Sequence, residues 1–330
     1  MSTPDRELTF AEAIREALAE EMRRDPNVFI LGEDVAEAGT PFKVLTGLVQ
    51  EFGKDRVIDT PISEAGFSGL GVGAAMTGMR PVVDLMFGDF LTLAMDQIVN
   101  QAAKAHYMSG GRWKVPIVFR TTLGATRRSA AQHSQSLHAW VSHIPGIKVA
   151  LPSTPCDAKG LLKTAIRDEN PVVFFEDKMM YKLKGPVPAE DYTIPFGVAD
   201  IKRAGKDITL VATSSMVQVA LGAATLLDQI GISAEVIDPR TTWPLDKQTL
   251  VDSVKKTSRA IVIDEGYERY GVTAEIASVI AGEAFYYLDA PVKRMGAMDV
   301  PIPFSPVLED VTVPTEKTVF EAARALCGKS

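Results

Sequence analysis

Residues 57–86 read VIDTPISEAGFSGLGVGAAMTGMRPVVDLM, and this stretch decides the predicted fold. A short apolar strand pattern, Val57–Asp59, ends at Thr60 and Pro61, and a glycine-rich helical stretch follows it. A second apolar strand pattern occupies 81–86. Strand, helix and strand in succession predict a parallel sheet that is covered by helices.

The same alternation continues on both sides of this stretch. Helical patterns cover 9–24, with Thr9 as the expected N-cap, and 91–107; strand patterns cover 28–31, 116–120, 149–151 and 172–175. Residues 182–200 are rich in proline, glycine and polar side chains, and a second strand–helix series begins at 207. The sequence therefore predicts an α/β protein of two domains, 1–185 and a smaller 205–330, joined by a linker over 186–204.

Composition excludes several classes of protein. The chain has 330 residues, 46% of them hydrophobic and 23% charged, which is typical of a soluble globular protein. A net charge of −7 argues against nucleic acid or an anionic membrane as a partner. Two cysteines, Cys156 and Cys327, form neither a disulfide framework nor a metal motif, and no leader or membrane-spanning pattern is evident. We therefore expect a cytoplasmic protein.

Glu64 is the first candidate for chemistry. It follows a predicted strand and starts the glycine-rich helix, and ligands of α/β sheets bind just beyond the carboxyl ends of strands. The simpler interpretation is that Glu64 only complements the helix dipole. The run GLGVG at 69–73 lacks the spacing of a dinucleotide fingerprint, so close helix packing is the favoured explanation of these glycines.

His133 is the second candidate. His133, His138 and His143 are five residues apart, which does not place ligands on one helical face and argues against zinc. His133 follows a strand and a loop, so it could reach a pocket. On the residues alone, a structural and a catalytic histidine remain equally open.

Several longer motifs occur together. They are DTPISE at 59–64, MDQI at 95–98, HYMSGG at 106–111, AAQHSQ at 130–135, PS at 152–153, DAKG at 157–160 and AIRDENP at 165–171. In this order they resemble the beta subunits of thiamine-diphosphate-dependent 2-oxo acid dehydrogenases, of the pyruvate, branched-chain and acetoin types. The resemblance covers nearly the whole chain.

The resemblance implies a fold and a set of site residues. The first domain would be the parallel-sheet domain that binds the pyrimidine of thiamine diphosphate, and the second would resemble the transketolase C-terminal domain. Glu64 matches the carboxylate that bonds the pyrimidine ring nitrogen and promotes formation of the cofactor ylide. Ile62 and Phe90 match residues that line the cofactor. His133 matches a histidine implicated in proton handling and in acyl transfer to a lipoyl group.

A potassium site is also implied only by the resemblance. Ile117, Ala165, Ile166, Asp168 and Asn170 match a structural site that is built largely from main-chain oxygens. An ordinary turn is the alternative, because Asp, Asn and Pro favour turns.

One motif of thiamine enzymes is missing. The sequence contains no Gly-Asp-Gly motif for the diphosphate and its magnesium; the nearest pair is Gly88-Asp89. In the resembled family a separate alpha subunit supplies it, so thiamine diphosphate would be shared and Mg²⁺ held mainly by the alpha subunit. Two alpha and two beta subunits would assemble and dock on a lipoyl acyltransferase core.

Arg127 and Arg128, just ahead of His133, depart from the family pattern, which has more glycine and less charge there. They are either solvated or face an anionic substrate or lipoyl-domain loop. Three other functions stay open: a carboligase of the same family, a non-catalytic scaffold subunit, and a nicotinamide dehydrogenase, which the missing fingerprint disfavours.

Overall fold

Strands and helices alternate along the first of two units in the computed structural model, which describes residues 6–328. This unit comprises the chain up to Leu123 together with 140–196. Its elements, with α6 beginning in the preceding segment, are β1 (Arg6–Thr9), α1 (Phe10–Arg24), β2 (Val28–Gly32), α2 (Leu48–Phe52), β3 (Val57–Asp59), α3 (Glu64–Met76), β4 (Arg80–Phe87), α4 (Leu91–Asp96), α5 (Ala103–Met108), β5 (Val118–Leu123), α6 (His138–Ser142), β6 (Lys148–Ala150), α7 (Pro155–Arg167), β7 (Val172–Asp177) and β8 (Lys184–Val187).

Six strands of this unit form a parallel sheet in the order β6-β7-β5-β4-β2-β3. Successive residues of a strand point to opposite faces. Along β2, Val28 and Ile30 therefore enter one apolar core, while Phe29 and Leu31 enter the other. The sheet is covered on both faces, as the apolar strand patterns predicted.

Helix α1 starts where its sequence predicts. Thr9 is the N-cap, and its side chain and that of Glu12 form a reciprocal capping box. The helix packs against α7, whose buried Lys159 pairs with Glu16 and Glu20 of α1. Pairing offsets the cost of burying the lysine charge, so the two helices are held in one register.

The helix predicted over 91–107 is interrupted. Helices α4 and α5 are joined by a π-helical segment, Gln97–Ala102. Hydrophobic periodicity over six residues does not separate this winding from an α-helix, so the sequence could not indicate it.

The second unit is a smaller α/β sheet. Its elements are β9 (Asp200–Arg203), β10 (Ile208–Ala212), α8 (Met216–Asp228), β11 (Ala234–Asp238), β12 (Thr241–Trp243), α9 (Lys247–Thr257), β13 (Ala260–Tyr267), α10 (Val272–Glu283), β14 (Lys293–Ala297), α11 (Pro306–Glu309) and α12 (Glu316–Leu326). Five strands lie in the order β14-β13-β10-β11-β9, and only the edge strand β9 runs antiparallel to its neighbour among these five. The predicted α/β class is confirmed.

The structure also assigns residues 124–139 to the second unit, which continues from Gly197. The sequence pattern had placed that segment within domain 1–185, because its partners in the second unit lie far away in sequence and leave no local signal. The boundaries 1–185, 186–204 and 205–330 stay a prediction.

Candidate functional site

Glu64 lies where the chain turns from β3 into α3. It is the first residue of the helix and is only 7% exposed. Pro61 and Ser63 precede it in the loop. The start of a helix carries a partial positive charge, which favours a carboxylate there. A shielded carboxylate at the carboxyl edge of the sheet can form a strong hydrogen bond to a ligand nitrogen.

A second carboxylate, Glu33, was missed by the sequence reasoning and lies near Glu64. It follows β2 as Glu64 follows β3, and the two strands are neighbours. Burial first, then the charges of Glu64 and Asp34, raise the pKa of Glu33, which a hydrogen bond from the Ser63 backbone N–H opposes. Among the described residues, Glu33 Oε1 is buried without a hydrogen-bond partner. Two carboxyl groups thus lie close together. A hydrogen-bond donor on a ligand would pair with Glu33 Oε1 and reduce the repulsion between the two groups.

Replacing Glu33 with glutamine is expected to stabilise the chain at neutral pH. An acid whose pKa is higher in the folded state binds more protons folded than unfolded, so its ionisation costs stability as the pH rises. Glu33→Gln removes that cost, and its gain should shrink as the pH falls toward about 4.3, the ordinary glutamate pKa. Melting temperatures of both proteins across this range measure the effect; an equal difference at every pH would contradict it.

Ile62 and Phe90 lie at the same carboxyl edge of the sheet as Glu64. Ile62 is 83% exposed in the loop before α3. Phe90 is half-buried and ends a short 3-10 turn, Gly88–Phe90, directly after β4. Helix α3 packs on α4, which begins at the next residue. An exposed aliphatic and an accessible aromatic ring suit an aromatic ligand near a buried carboxylate.

A buried ion network supports the end of β4. Arg120 on β5 bonds both carboxylate oxygens of Glu176 on β7, at 2.5 and 2.7 Å, and also bonds Asp84 on β4. The other oxygen of Asp84 accepts the Met86 backbone N–H at 2.8 Å. Met86 has a φ of 58°, a left-handed conformation that needs such support in a non-glycine residue.

Aromatic rings join this network to Phe90. The Tyr181 hydroxyl donates to Glu176 at 2.9 Å, and its ring centroid lies 5.3 Å from that of Phe42. Phe42 contacts Phe87 at 5.1 Å, and Phe87 contacts Phe90 at 5.8 Å. The buried ion network of Arg120, Asp84 and Glu176 therefore helps to fix the position of the Phe90 ring.

His133 belongs to the second unit, whereas Glu64, Ile62 and Phe90 belong to the first. It ends a 3-10 turn, Ala131–His133, and is half-buried. The neighbouring His138 is buried, and its Nε2 lies 3.0 Å from Oδ2 of Asp264. Burial opposes ionisation of Asp264, but His138, Thr213 and the Gly266 N–H together hold its pKa below the usual range. His138 is thus a structural histidine, and His133 is the less buried of the two.

The five residues predicted to bind potassium lie in one region of the first unit. Ile117 precedes β5, Ala165 and Ile166 are in the last turn of α7, Asp168 is its C-cap, and Asn170 precedes β7. Asp168 Oδ1 accepts hydrogen bonds from the backbone and side-chain nitrogens of Asn170, both at 2.9 Å. Asp168 and Asn170 are therefore in direct contact.

Cationic side chains already contact the oxygens of this region. Arg80 Nη1 donates to the carbonyl oxygens of Ile166 at 3.0 Å and Asp168 at 3.1 Å. The Lys148 ammonium pairs with Asp168 Oδ2, so two positive charges already lie at these oxygens. Each carbonyl oxygen has a second lone pair, and carbonyls at a helix C-terminus favour positive charge. A potassium ion would have to bind these oxygens through their second lone pairs, beside those side-chain cations.

Exchange of sodium chloride for potassium chloride at constant ionic strength is expected to raise the melting temperature. A ligand at one hundred times its Kd adds about 2.7 kcal/mol to the free energy of unfolding. Asp168→Ala should remove the difference between the salts. Asp228→Ala, which removes an exposed aspartate paired with Arg203, should keep it. Equal melting of the unmodified chain in both salts would contradict the potassium site.

Residues 6–328 meet the requirements of neither a side-chain metal cluster nor a membrane-spanning helix. Over this range, no three His, Cys, Asp or Glu side chains come together as a metal-binding cluster. Within the same residues, every helix is too short or too polar to cross a bilayer.

Comparison with known families assigns both parts of the chain. Residues 6–184 match the transketolase pyrimidine binding domain, and residues 197–319 match the transketolase C-terminal domain. A full-length relative, the acetoin:2,6-dichlorophenolindophenol oxidoreductase subunit beta of Bacillus subtilis, is 50% identical over 336 residues, covering 98% of each chain. The chain belongs to the dehydrogenase beta-subunit family.

Other members of this beta-subunit family are equally similar. The pyruvate dehydrogenase E1 component subunit beta of Rhizobium meliloti is 50% identical over 323 residues, covering 98% of this chain and 70% of that protein. These relatives and the two domain matches confirm the predicted family.

A solved split-gene transketolase, described as an inactive beta4 tetramer, shares the fold with a TM-score of 0.79 at 23% identity, covering 97% of this chain and 98% of that one.

Proposed function

We propose that this chain is the beta subunit of a thiamine-diphosphate-dependent dehydrogenase that acts on a small 2-oxo acid or on acetoin. The observation that carries the proposal is the shielded Glu64 carboxylate at the carboxyl edge of a transketolase-type pyrimidine domain. A scaffold subunit would have no use for such a group. The proposed site residues are Glu64 and His133 for catalysis and Ile62, Glu64 and Phe90 for the cofactor.

When bound, thiamine diphosphate supplies a nucleophilic carbon and accepts the electron pair released next to the substrate carbonyl. Glu64 would hold a proton between its carboxyl group and the pyrimidine ring nitrogen. Phe90 would lie against the pyrimidine, and Ile62 would exclude water from it. Such a buried charge-assisted hydrogen bond is stronger than one in water, which is why the carboxylate needs shielding.

A separate alpha subunit is part of the proposal. The absence of a Gly-Asp-Gly motif in the sequence supports an alpha subunit that holds the diphosphate and most of the Mg²⁺ coordination. Two alpha and two beta subunits would assemble, dock on a lipoyl acyltransferase core in the cytoplasm, and retain potassium as a structural ion. His133 would move a proton as the acyl group passes to the lipoyl carrier, a role for which an imidazole side chain is suited.

Reconstitution with the alpha subunit tests the proposal. The pair should reduce 2,6-dichlorophenolindophenol with pyruvate, a branched-chain 2-oxo acid or acetoin, because relatives named for pyruvate and acetoin are both 50% identical. The substrate with the largest kcat/KM identifies the class. Formation of a carbon–carbon-bonded product without dye reduction would favour the carboligase instead, and no turnover of any kind would favour the scaffold.

A further inference from the structure

The loop that carries His133, residues 124–139, is attached to the second unit at both ends. Near its start, the Ala125 N–H donates to Glu265 Oε1 at 2.6 Å, and Ala125 packs in an apolar cluster with Ala297 and Ile302. At its end, buried His138 pairs with Asp264. We call residues 124–139 the histidine loop.

Arg128 makes the central attachment of the histidine loop. Its backbone N–H and its Nη1 donate to Oε2 of Glu309, at 3.2 and 2.7 Å, and Nη1 also lies 2.7 Å from Asp310 Oδ1. The Glu309 side chain is fully buried, and within residues 6–328 its other oxygen, Oε1, has no hydrogen-bond partner. A buried carboxylate is costly unless it is paired, so Glu309 depends on Arg128 for its charge.

The loop backbone needs this attachment. Thr126, Arg128 and Ala130 have φ values of 66°, 62° and 60°, in the left-handed region that non-glycine residues avoid. Such residues persist only when the surrounding structure holds them. The Arg128–Glu309 contact engages both the backbone and the side chain of the middle residue, five positions before His133.

We propose that Arg128 is a positioning residue, and that its pairing with buried Glu309 fixes the conformation in which the histidine loop presents His133 for acyl transfer. The inference rests on the proposed function of His133. It also gives a role to one of the two arginines whose function the sequence left open. Loss of the Arg128–Glu309 pair is therefore expected to impair acyl transfer, while the pyrimidine site of the other unit keeps its own residues.

The first test compares two rates of the reconstituted alpha–beta complex. A small misplacement of a catalytic group costs about 10²-fold in rate. Arg128→Met should therefore lower the ratio of lipoyl-domain acylation to dye reduction by about tenfold to a hundredfold. Arg128→Lys should restore part of this ratio. Arg269→Met, which breaks an exposed ion pair with Asp299 in the same unit, is the matched control and should leave the ratio unchanged.

The second test needs no activity. Amide hydrogen exchange of the full chain should quicken by about tenfold or more across 124–133 in Arg128→Met, and equally in Glu309→Gln, but not in Arg269→Met. Both rates falling together with slow exchange retained would overturn the inference, as would no change in either measurement. A third outcome separates the inference from the proposed function. If Arg128→Met exchanges fast but the unmodified complex shows neither dye reduction nor lipoyl-domain acylation, the loop attachment stands and the proposed function is rejected.

Discussion

Glu64→Gln is expected to lower turnover of the reconstituted complex by about 10²–10⁴-fold, the usual contribution of a general acid–base group. Glutamine keeps the size of the side chain and can bond a ring nitrogen, but it cannot hold or release a proton at that atom. The side chain sits at the start of a helix and is 7% exposed, so an isosteric change should preserve packing. Dye-coupled turnover with the best substrate measures the effect.

Glu275→Gln is the matched control for this variant. Glu275 is an exposed carboxylate in the first turn of α10, so its removal costs the same kind of helix-dipole interaction without touching the candidate site. Full activity in Glu275→Gln together with a severe loss in Glu64→Gln would separate chemistry from helix stability. Equal activity in the two variants would return Glu64 to a purely structural role.

Arg120→Met is expected to lower the free energy of unfolding by about 3–5 kcal/mol, because it leaves buried carboxylates without their cation. Arg120, Asp84 and Glu176 are each at most 4% exposed. Burial raises the pKa of Glu176; Arg120 opposes this shift, and Asp84 adds to it. Loss of Arg120 removes the opposing charge, so protonation should partly rescue the variant and its deficit should shrink as the pH falls.

Chemical unfolding of the chain at two pH values measures this prediction. Arg269→Met is again the control, since an exposed ion pair contributes only about 0–1 kcal/mol. The double variant Arg120→Met with Glu176→Gln should recover part of the loss, because it removes one of the stranded charges. A deficit below about 1 kcal/mol in Arg120→Met alone would mean that the network is hydrated or replaceable.

Local chemistry made several elements predictable. Thr9 with Glu12 three residues later marks a helix start that the structure reproduces at Phe10, and the strand pattern Val57–Asp59 is strand β3 in full. Glu64 could be placed at a strand-to-helix turn because three features agree there: an apolar run, a proline and a helical continuation.

What could not be predicted depends on contacts between distant residues. Arg120 lies within an apolar strand pattern, and nothing near it in sequence shows that Asp84 and Glu176 lie on the strands either side. Likewise, Glu309 follows Arg128 by 181 positions, so the assignment of the histidine loop to the second unit had no local signal. Glu33 could in principle have been predicted, since it follows a strand as Glu64 does. Only the order of strands in the sheet shows that the two residues are neighbours.

Calorimetric titration of thiamine diphosphate with Mg²⁺ tests the central claim most directly. The ligand is titrated into this chain alone and into the chain co-expressed with its alpha subunit. A split site predicts tight binding only to the pair, and Glu64→Gln in the pair should weaken it because a charge-assisted hydrogen bond is lost. Tight binding to the lone chain, or no binding to either, would contradict the shared-cofactor account.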